Sequence, residues 1–439
     1  MNYEQEFTQA IKKAAIPMTH PSMYKQLLTY IGDAQIVLLG EATHGTHEFY
    51  ELRAEISKRL ITEKNFNAIA IEGDWPDAYQ INRYTHHEQY TNAADALASF
   101  DRFPTWMWGN VPILHLAEWL RNYNQQQSPE MRVNFYGLDL YSLYRSVDTI
   151  INYLEKIDPS AAEQARHYYS CFDQYRNDPQ DYAYAVYTHI IRDCSQEVME
   201  QLKIMAEQNW QRLAHGTITA DAAFNLDQNA RVVKNAEYYY RSLFIDEVNN
   251  WNVRDSHMAD TVNELIKHYQ NKGIAKPKII IWAHNSHIGD ARATQMGKHG
   301  ELNIGQLMKE QFGKKAVNIG FTTYHGTVSA ASNWHRPVER KQVRNALPNS
   351  YESLFHGTGI PNFLLLLDTQ DLVPGHLIER AIGVVYQPQT ERMSHYFYAN
   401  LAEQFDAVIH CDKTTALEPL EKTSLWITGE IPETYPTGL

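Results

Sequence analysis

The chain has 439 residues, of which 44% are hydrophobic, and its 52 acidic and 39 basic side chains give a net charge of -13. This length and composition are typical of a folded protein with a large core, arranged as one elaborated domain or as two domains. The negative charge argues against nucleic acid or an anionic membrane surface as the main partner.

The first strong pattern is a strand, a turn and a helix. After a helical lead-in over residues 3–32, the apolar run Ile36–Leu39 predicts a buried strand. From residue 49 to residue 60 the apolar positions follow the period of a helix. Residues 40–45 are therefore a tight turn at the carboxyl end of a strand, where ligands bind in open α/β sheets.

Further strands are predicted along the rest of the chain. Apolar or β-branched runs suggest them at residues 68–71, 133–136, 278–282, 317–321, 363–367, 383–386 and 407–411. Helical patterns separate the early strands, and this order implies parallel neighbours joined by right-handed crossovers.

The sequence pattern changes in the middle of the chain. Between Gly137 and Gly273 the only glycine is Gly216, and apolar residues recur at helical spacing. We therefore predict a mostly helical insertion over residues 145–270. The predicted fold is α/β, a three-layer core with a mostly parallel sheet, in which residues 1–144 and 271–439 form one discontinuous catalytic domain around this insertion.

Cysteine usage and the N-terminal residues indicate the compartment. Cys171, Cys194 and Cys411 are odd in number, widely spaced and free of any Cys-x-x-Cys pair, which argues against a disulfide framework or a thiolate metal site. The first residues lack the apolar segment of a signal peptide, and no apolar run is long enough to span a membrane. We expect a cytoplasmic protein.

Titratable residues stand at the ends of four predicted strands and in the adjoining turns. They are Glu41, His44, Glu72, Asp139, His284 and His287. Because the carboxyl ends of parallel strands share one edge of a sheet, we expect these side chains to form one site. For Asp139 an equally good interpretation is that it caps the helix that follows.

These residue types predict hydrolysis without a covalent enzyme intermediate. Imidazole is the usual general base at neutral pH, and a carboxylate can fix its tautomer and stabilise its charged form. A second histidine can stabilise an oxyanion. The sequence has no Gly-x-Ser-x-Gly elbow, Walker A motif or Gly-x-Gly-x-x-Gly fingerprint, which argues against a serine nucleophile and a nucleotide site.

A metal site is the alternative for the same residues. The pairs His44/His47 and His284/His287 are each spaced three apart, and with the two glutamates they could bind zinc or another divalent ion. No His-Glu-x-x-His helix is present. Because histidine–carboxylate sites without metal are also common in hydrolases, we expect no metal and no other cofactor.

Four segments resemble the signature of the erythromycin esterase-like family. They are GEATHGTHEF at residues 40–49, IEGDW at 71–75, WAHNSH at 282–287 and QFDA at 404–407. The resemblance extends over most of the chain, and it implies an α/β core, a helical insertion and an active cleft between them.

The resemblance also implies roles for individual residues. His44 takes the position of the family's general base, Glu41 and Glu72 those of its supporting glutamates, and His284 that of its second essential histidine. His287 matches a further site position. The remaining candidates for substrate binding or support of the catalytic residues are Arg53, Asp74 and Asp139.

Family esterases open the macrolactone of erythromycin-type antibiotics by hydrolysis, and they are thought to need no metal. We therefore expect a carboxylic ester hydrolase that acts on a macrolide lactone or a related small-molecule ester, with a role in antibiotic resistance. The alternatives are a divalent-metal hydrolase of another substrate and a ligand-binding protein without turnover. No pattern in the sequence predicts an oligomeric state.

Overall fold

The computed structural model describes residues 3–19, 22–176, 178–367 and 372–429. Its strands are β1 (Ile16–Pro17), β2 (Ile36–Leu39), β3 (Ala68–Asp74), β4 (Asn134–Asp139), β5 (Ile279–Trp282), β6 (Ala316–Ala330), β7 (Glu339–Val343), β8 (Asn362–Leu366), β9 (Leu377–Arg380), β10 (Tyr396–Ala399) and β11 (Ala407–Thr414). Nine of them form one sheet in the order β1-β8-β11-β6-β2-β5-β3-β4, with β7 paired to β6. Strands β9 and β10 form a separate antiparallel pair.

Helices fill most of the remaining described chain. They are α1 (Tyr3–Ala14), α2 (Ser22–Ile31), α3 (His47–Lys64), α4 (Trp75–Thr85), α5 (Ala93–Leu97), α6 (Val111–Gln125), α7 (Leu143–Ile157), α8 (Pro159–Tyr169), α9 (Pro179–Tyr187), α10 (Ser195–Ala214), α11 (Ala220–Ser242), α12 (Glu247–Asn271), α13 (Asn285–Ile288), α14 (Gln295–Lys298), α15 (Ile304–Phe312), α16 (Tyr351–His356), α17 (Glu391–Ser394), α18 (Leu401–Gln404) and α19 (Ser424–Thr428).

The central strands are apolar on both faces because helices cover both faces of the sheet. In β2, Val37 and Leu39 pack with side chains of α2, α3 and α6. The alternate residues Ile36 and Leu38 pack on the opposite face with side chains of α12 and α15. Because successive residues of β2 face two apolar layers, the strand appears in the sequence as a continuous apolar run.

Strand direction places the ends of four strands side by side. The pairs β6–β2, β2–β5, β5–β3 and β3–β4 are all parallel, whereas β8 and β7 join the sheet in antiparallel orientation. The sheet is mixed and mostly parallel, so the predicted α/β fold class is confirmed. The carboxyl ends of β2, β5, β3 and β4 therefore lie next to one another along one edge.

One predicted strand is wrong, and four strands were not predicted. Residues 383–386 make no strand, because Ile382 and Val385 each form an isolated bridge, to Thr43 and Ala331 respectively, and the segment crosses the ends of other strands. Strands β1, β7, β9 and β10 were missed because they are short or carry charged residues that hide the alternation.

The chain from α7 to α12 is helical, as the glycine-poor pattern predicts for residues 145–270. Much of its apolar surface forms a cluster of its own, with Leu154, Tyr182 and Val233 among its members. Helix α12 also packs on the sheet through Met258 and Val262. The division of the chain into two domains stays a prediction.

Two further sequence expectations have outcomes in the fold. Cys171 and Cys194 are joined by a disulfide with a Cα–Cα distance of 6.1 Å, a single link that the argument against a disulfide framework did not anticipate. Residues distant in sequence meet here because the chain folds back between α8 and α10. Cys411 is free and buried.

Among helices in the described part of the chain, none has the length and hydropathy needed to cross a membrane.

A close backbone approach fixes the turn after β2, and it yields a prediction. A methyl group added to Gly45 would overlap the backbone carbonyl of Ser329 in β6. We expect Gly45→Ala to lower the free energy of unfolding by about 1–3 kcal/mol, the usual cost of overpacking, as measured by urea denaturation. Gly383→Ala is the matched control, because its added methyl meets no atom within 4 Å. Equal stability of both variants would contradict the proposed constraint.

Candidate active site

The ends of the adjacent parallel strands bring together the residues that the sequence singled out. Glu41 follows β2, His284 follows β5, Glu72 lies in β3 and Asp139 ends β4. All four are buried, with at most 4% of each residue exposed to solvent. The predicted positions at one edge of the sheet are therefore the positions observed.

Glu41 and Arg53 form the deepest ion pair of this group. Arg53 Nη2 donates to Glu41 Oε2 at 2.7 Å, and both side chains are fully buried. The guanidinium lies against the rings of Tyr50 and Trp282, at 4.3 and 4.7 Å from their centroids. Cation–π contact of this kind stabilises a desolvated guanidinium. Arg53 thus anchors a site carboxylate.

The imidazole of His44 is held in one tautomer by Glu41. His44 Nδ1 lies 2.9 Å from Glu41 Oε1, and because the ionised carboxylate can only accept, Nδ1 carries the proton. Nε2 is then the basic nitrogen, and it lies 4.0 Å from Glu72 Oε1. Tyr50 Oη donates to the His44 carbonyl at 3.0 Å and fixes the turn.

Glu72 accepts hydrogen bonds from three directions. Its Oε1 accepts from Arg254 Nη2 at 2.7 Å and faces His287 Nε2 at 3.3 Å. Its Oε2 accepts from the backbone N–H of His284 at 2.8 Å. Burial raises the pKa of Glu72, but the charges of His287 and Arg254 outweigh burial and hold that pKa well below its usual range. Glu72 is therefore ionised.

Arg254 comes from α12, which the sequence analysis placed in the insertion and did not connect with the site. Its Nε and Nη2 donate to the two oxygens of Asp139 at 3.0 and 2.6 Å. This bidentate geometry is the strong form of an arginine–carboxylate pair. Asp139 is not a helix cap, because α7 begins at Leu143. Only the one-face spacing of Trp251, Arg254 and Asp255 on a helix could have indicated their role.

His287 lies between two carboxylates. Its Nδ1 contacts both oxygens of Asp255, at 2.8 and 3.0 Å, and its ring stacks on Trp251 at a centroid distance of 4.5 Å. Burial lowers the pKa of His287, but Asp255 and Glu72 overcome burial and raise that pKa to about 9.

A close contact with Arg254 bears on the charge of His287. Arg254 Nη1 lies 2.9 Å from His287 Nε2, and since a guanidinium only donates, this contact requires an unprotonated Nε2. A protonated Nε2 would donate to Glu72 instead. We take the protonated ring as the form at neutral pH, because Asp255 is fully buried and His287 supplies the charge that pairs with it.

His284 has a different environment and a different charge. Burial holds the pKa of His284 well below its usual range, and a positive charge on His44 would lower it further, whereas the charge of Glu72 opposes the shift. Nδ1 accepts from the backbone N–H of Ser286 at 3.2 Å, so the single proton lies on Nε2. Nε2 is buried and has no hydrogen-bond partner among the described residues, and the ring stands 4.8 Å from that of His44.

Two residues named from the sequence lie outside this group. His47 Nε2 pairs with Glu51 at 3.1 Å on the surface of α3, as expected for a residue that opens a helix. Asp74 faces Arg102 at 3.5 Å, in a neighbouring charged network, and has no contact with the histidines. Burial raises the pKa of Asp74, although Arg102 opposes that shift.

The charges at the centre of the site come from protein side chains. Among the described residues, no group of three or more His, Cys, Asp or Glu side chains is arranged to bind a metal ion. The guanidinium of Arg254 stands between Glu72 and Asp139. These two carboxylates are thus already paired with a cationic side chain.

The site can be compared with known proteins. The family described as erythromycin esterase matches residues 61–414. Erythromycin esterase type II of Escherichia coli is 22% identical over 461 residues, covering 94% of this chain and 99% of that relative. A crystal structure from Bacillus cereus has a TM-score of 0.76 at 20% identity and covers 96% of this chain and 100% of its own. A mutant of the erythromycin esterase EreC in its open conformation has a TM-score of 0.64 at 17% identity, over 91% and 95% of the two chains.

The pair between His287 and Asp255 can be tested by titration. Asp255→Asn removes a carboxylate that raises the pKa of His287, so that pKa should fall from about 9 towards its ordinary 6.5. NMR titration of the ring protons measures it directly. Because the raised pKa favours the folded state below pH 6.5, the wild type should lose this stabilisation as the pH rises through about 9. The variant should not, and an unchanged titration would contradict the assignment.

Proposed function

The chain belongs to the erythromycin esterase family, and from that premise we propose that it is a carboxylic ester hydrolase in which His44 activates a water molecule. One observation carries the proposal. Glu41 holds the His44 proton on Nδ1 and leaves Nε2 basic, within reach of the ionised Glu72 and beside the unpartnered Nε2–H of His284.

The proposed first step is attack of water on the ester carbonyl. His44 Nε2 takes a proton from a water molecule that Glu72 helps to orient, and the resulting hydroxide adds to the carbonyl carbon. The imidazolium that forms is stabilised by Glu41, whose own charge is kept in place by Arg53. This arrangement resembles a catalytic triad in its logic, with water in place of the serine hydroxyl.

His284 is the proposed oxyanion donor. Its low pKa keeps the ring neutral, and a neutral imidazole donates one hydrogen bond without losing its proton to the developing alkoxide. Collapse of the tetrahedral intermediate expels the alcohol, which takes the proton back from His44. In this account the two neighbouring histidines have separate roles, one as base and acid and the other as hydrogen-bond donor.

The proposed substrate is a macrolide lactone or a related ester. Support comes from the names of the relatives, two of which are erythromycin esterases of Escherichia coli. An assay should compare erythromycin with simpler 4-nitrophenyl esters, with the protein at equal concentration. Hydrolysis of the simple esters alone would keep the reaction type and reject the macrolide. No hydrolysis of any ester would reject both and favour a protein that only binds its ligand.

Two histidines of one turn provide a matched test of the base. His44→Ala should reduce the rate of ester hydrolysis by at least about a hundredfold, which is the usual contribution of a general base. His47→Ala should change the rate far less, because His47 faces Glu51 on the helix surface. Circular dichroism should show both variants folded. The proposal fails if the His44 variant keeps its rate while the His47 variant loses it.

Chelation tests the alternative of a metal-dependent hydrolase. We expect full activity after exhaustive dialysis against a chelator, because Arg254 and His287 already pair with the site carboxylates. Activity measured before and after dialysis, with zinc and manganese added back, decides the question. Loss on chelation that either ion restores would replace the proposed mechanism with a metal-assisted one.

A further inference from the structure

The turn that carries His44 is supported by a segment that follows β9. The backbone N–H of Ile382 donates to the Ala42 carbonyl at 2.8 Å, and the N–H of His44 donates to the Ile382 carbonyl at 3.2 Å. The turn is therefore clamped by a chain segment whose sequence gave no indication of such a role. Glu379 lies in the strand that leads directly into this clamp.

Asn285 connects the same turn to the rest of the sheet. Its backbone N–H donates to the Glu41 carbonyl at 2.8 Å, and its side-chain Nδ2 donates to the Phe321 carbonyl at 2.8 Å. The Phe321 N–H donates back to Asn285 Oδ1 at 3.2 Å. Asn285 directly follows His284, so the orientation of its amide bears on the base and on the oxyanion donor together. The same Nδ2 also donates to Glu379 Oε1 at 3.2 Å.

Glu379 occupies an environment in which an ionised carboxylate would be poorly paired. The residue is fully buried, and its Oε2 has no hydrogen-bond partner among the described residues. Glu352 is also fully buried beside it, and one of its oxygens likewise has no partner. The Gln404 side chain is within interaction distance of Glu379, and neither of its polar atoms has another partner.

The arginine nearest in sequence does not supply a counter-charge. The Arg380 guanidinium donates to the carbonyls of Thr323, Tyr324 and Arg344, and its Nε faces Glu391 at 3.1 Å. Other titratable groups on the elements packed around Glu379 have partners elsewhere or are exposed. They are Tyr351, Tyr396, Tyr398, Glu403, His284 and His287.

We propose that Glu379 is a positioning residue of this site. Its side chain is a neutral carboxylic acid, and in this form it holds the Asn285 amide in place. In this form Oε1 accepts from Asn285, and the acidic proton lies on Oε2, which has no hydrogen-bond partner among the described residues. Ionisation would place an unpaired charge next to Glu352 in the protein interior, which is costly without a cation. Burial and, after it, the charge of Glu352 raise the pKa of Glu379 to about 8.

The sign of the expected pH dependence follows from this raised pKa. An exposed glutamate loses its proton near pH 4.5, whereas folded Glu379 keeps its proton up to about pH 8. Between these values the folded state binds the additional proton, so the stability of the wild type falls as the pH rises through that interval. Glu379→Gln imitates the protonated acid in shape and in charge, and it should remove this component.

The test compares the thermal unfolding of the wild type and Glu379→Gln at several pH values. Their melting temperatures should be similar near pH 4.5, the variant should become progressively more stable towards pH 8, and the difference should then stay constant. In a Glu352→Gln background the gain should be smaller and end at a lower pH, because the charge of Glu352 raises the pKa of Glu379. Glu403→Gln, which removes an exposed carboxylate nearby, should show no such trend.

Two results would overturn the neutral acid. One is a Glu379→Gln variant that loses stability equally at every pH, which would mean that the ionised carboxylate is needed. The other is a bound cation in the purified wild type, found by elemental analysis and lost in Glu379→Gln, which would make the two glutamates cation ligands. The infrared band of a protonated carboxyl group, present in the wild type at pH 6 and absent in the variant, would support the proposal independently.

The positioning role of Glu379 rests on the proposed hydrolase activity, whereas the protonation state of Glu379 does not depend on that activity. With an ester that the wild type hydrolyses, kcat should decline above about pH 8 as Glu379 ionises, and Glu379→Gln should extend the plateau upwards with little change in KM. A decline that still begins at about pH 8 in the variant, together with the expected unfolding data, would reject the positioning role alone. No turnover by the wild type would reject the proposed function and leave the unfolding test intact.

Discussion

The contact of Arg254 with two carboxylates is the interaction on which the site depends. This arginine comes from α12, and its guanidinium binds Glu72 of β3 and Asp139 of β4 at distances of 2.6–3.0 Å. Without it, two buried carboxylates on neighbouring strands would repel each other in a medium of low dielectric constant. The helix and the sheet are therefore joined at the point where the chemistry is proposed to occur.

Three buried histidines share this small volume, yet their surroundings give them different charges. His44 and His287 each face a carboxylate at Nδ1, but His287 has a second one at Nε2, which favours the doubly protonated ring. His284 faces no carboxylate with its ring, and its backbone N–H instead binds Glu72. The proposed roles of base, donor and structural cation therefore follow from the neighbours of each ring together with its burial.

The parts of this arrangement that sequence could predict are those controlled by local pattern. Apolar runs followed by a polar residue marked the ends of β2, β3, β4 and β5, and the rule that parallel strands end at one edge placed their side chains together. Arg254 and Asp255 were not predicted as site residues because a charged face of a helix is usually exposed to solvent. The helical period does not show which surface that face will contact. Glu379 was not predicted either, since nothing in the sequence indicates that a lone acid in a short strand is buried.

The residues that escaped prediction are mostly those that link distant segments. The chain contributes the proposed base and its carboxylate from one turn, where a spacing of three residues suffices to bring Glu41 and His44 together. Keeping that turn fixed requires contacts from β9 and from Asn285, which are far away in sequence. A general base works only if its ring is held within a few tenths of an ångström of the reacting proton. The local motif therefore supplies the residues of the proposed chemistry, while the non-local polar contacts determine whether their geometry is accurate enough for it.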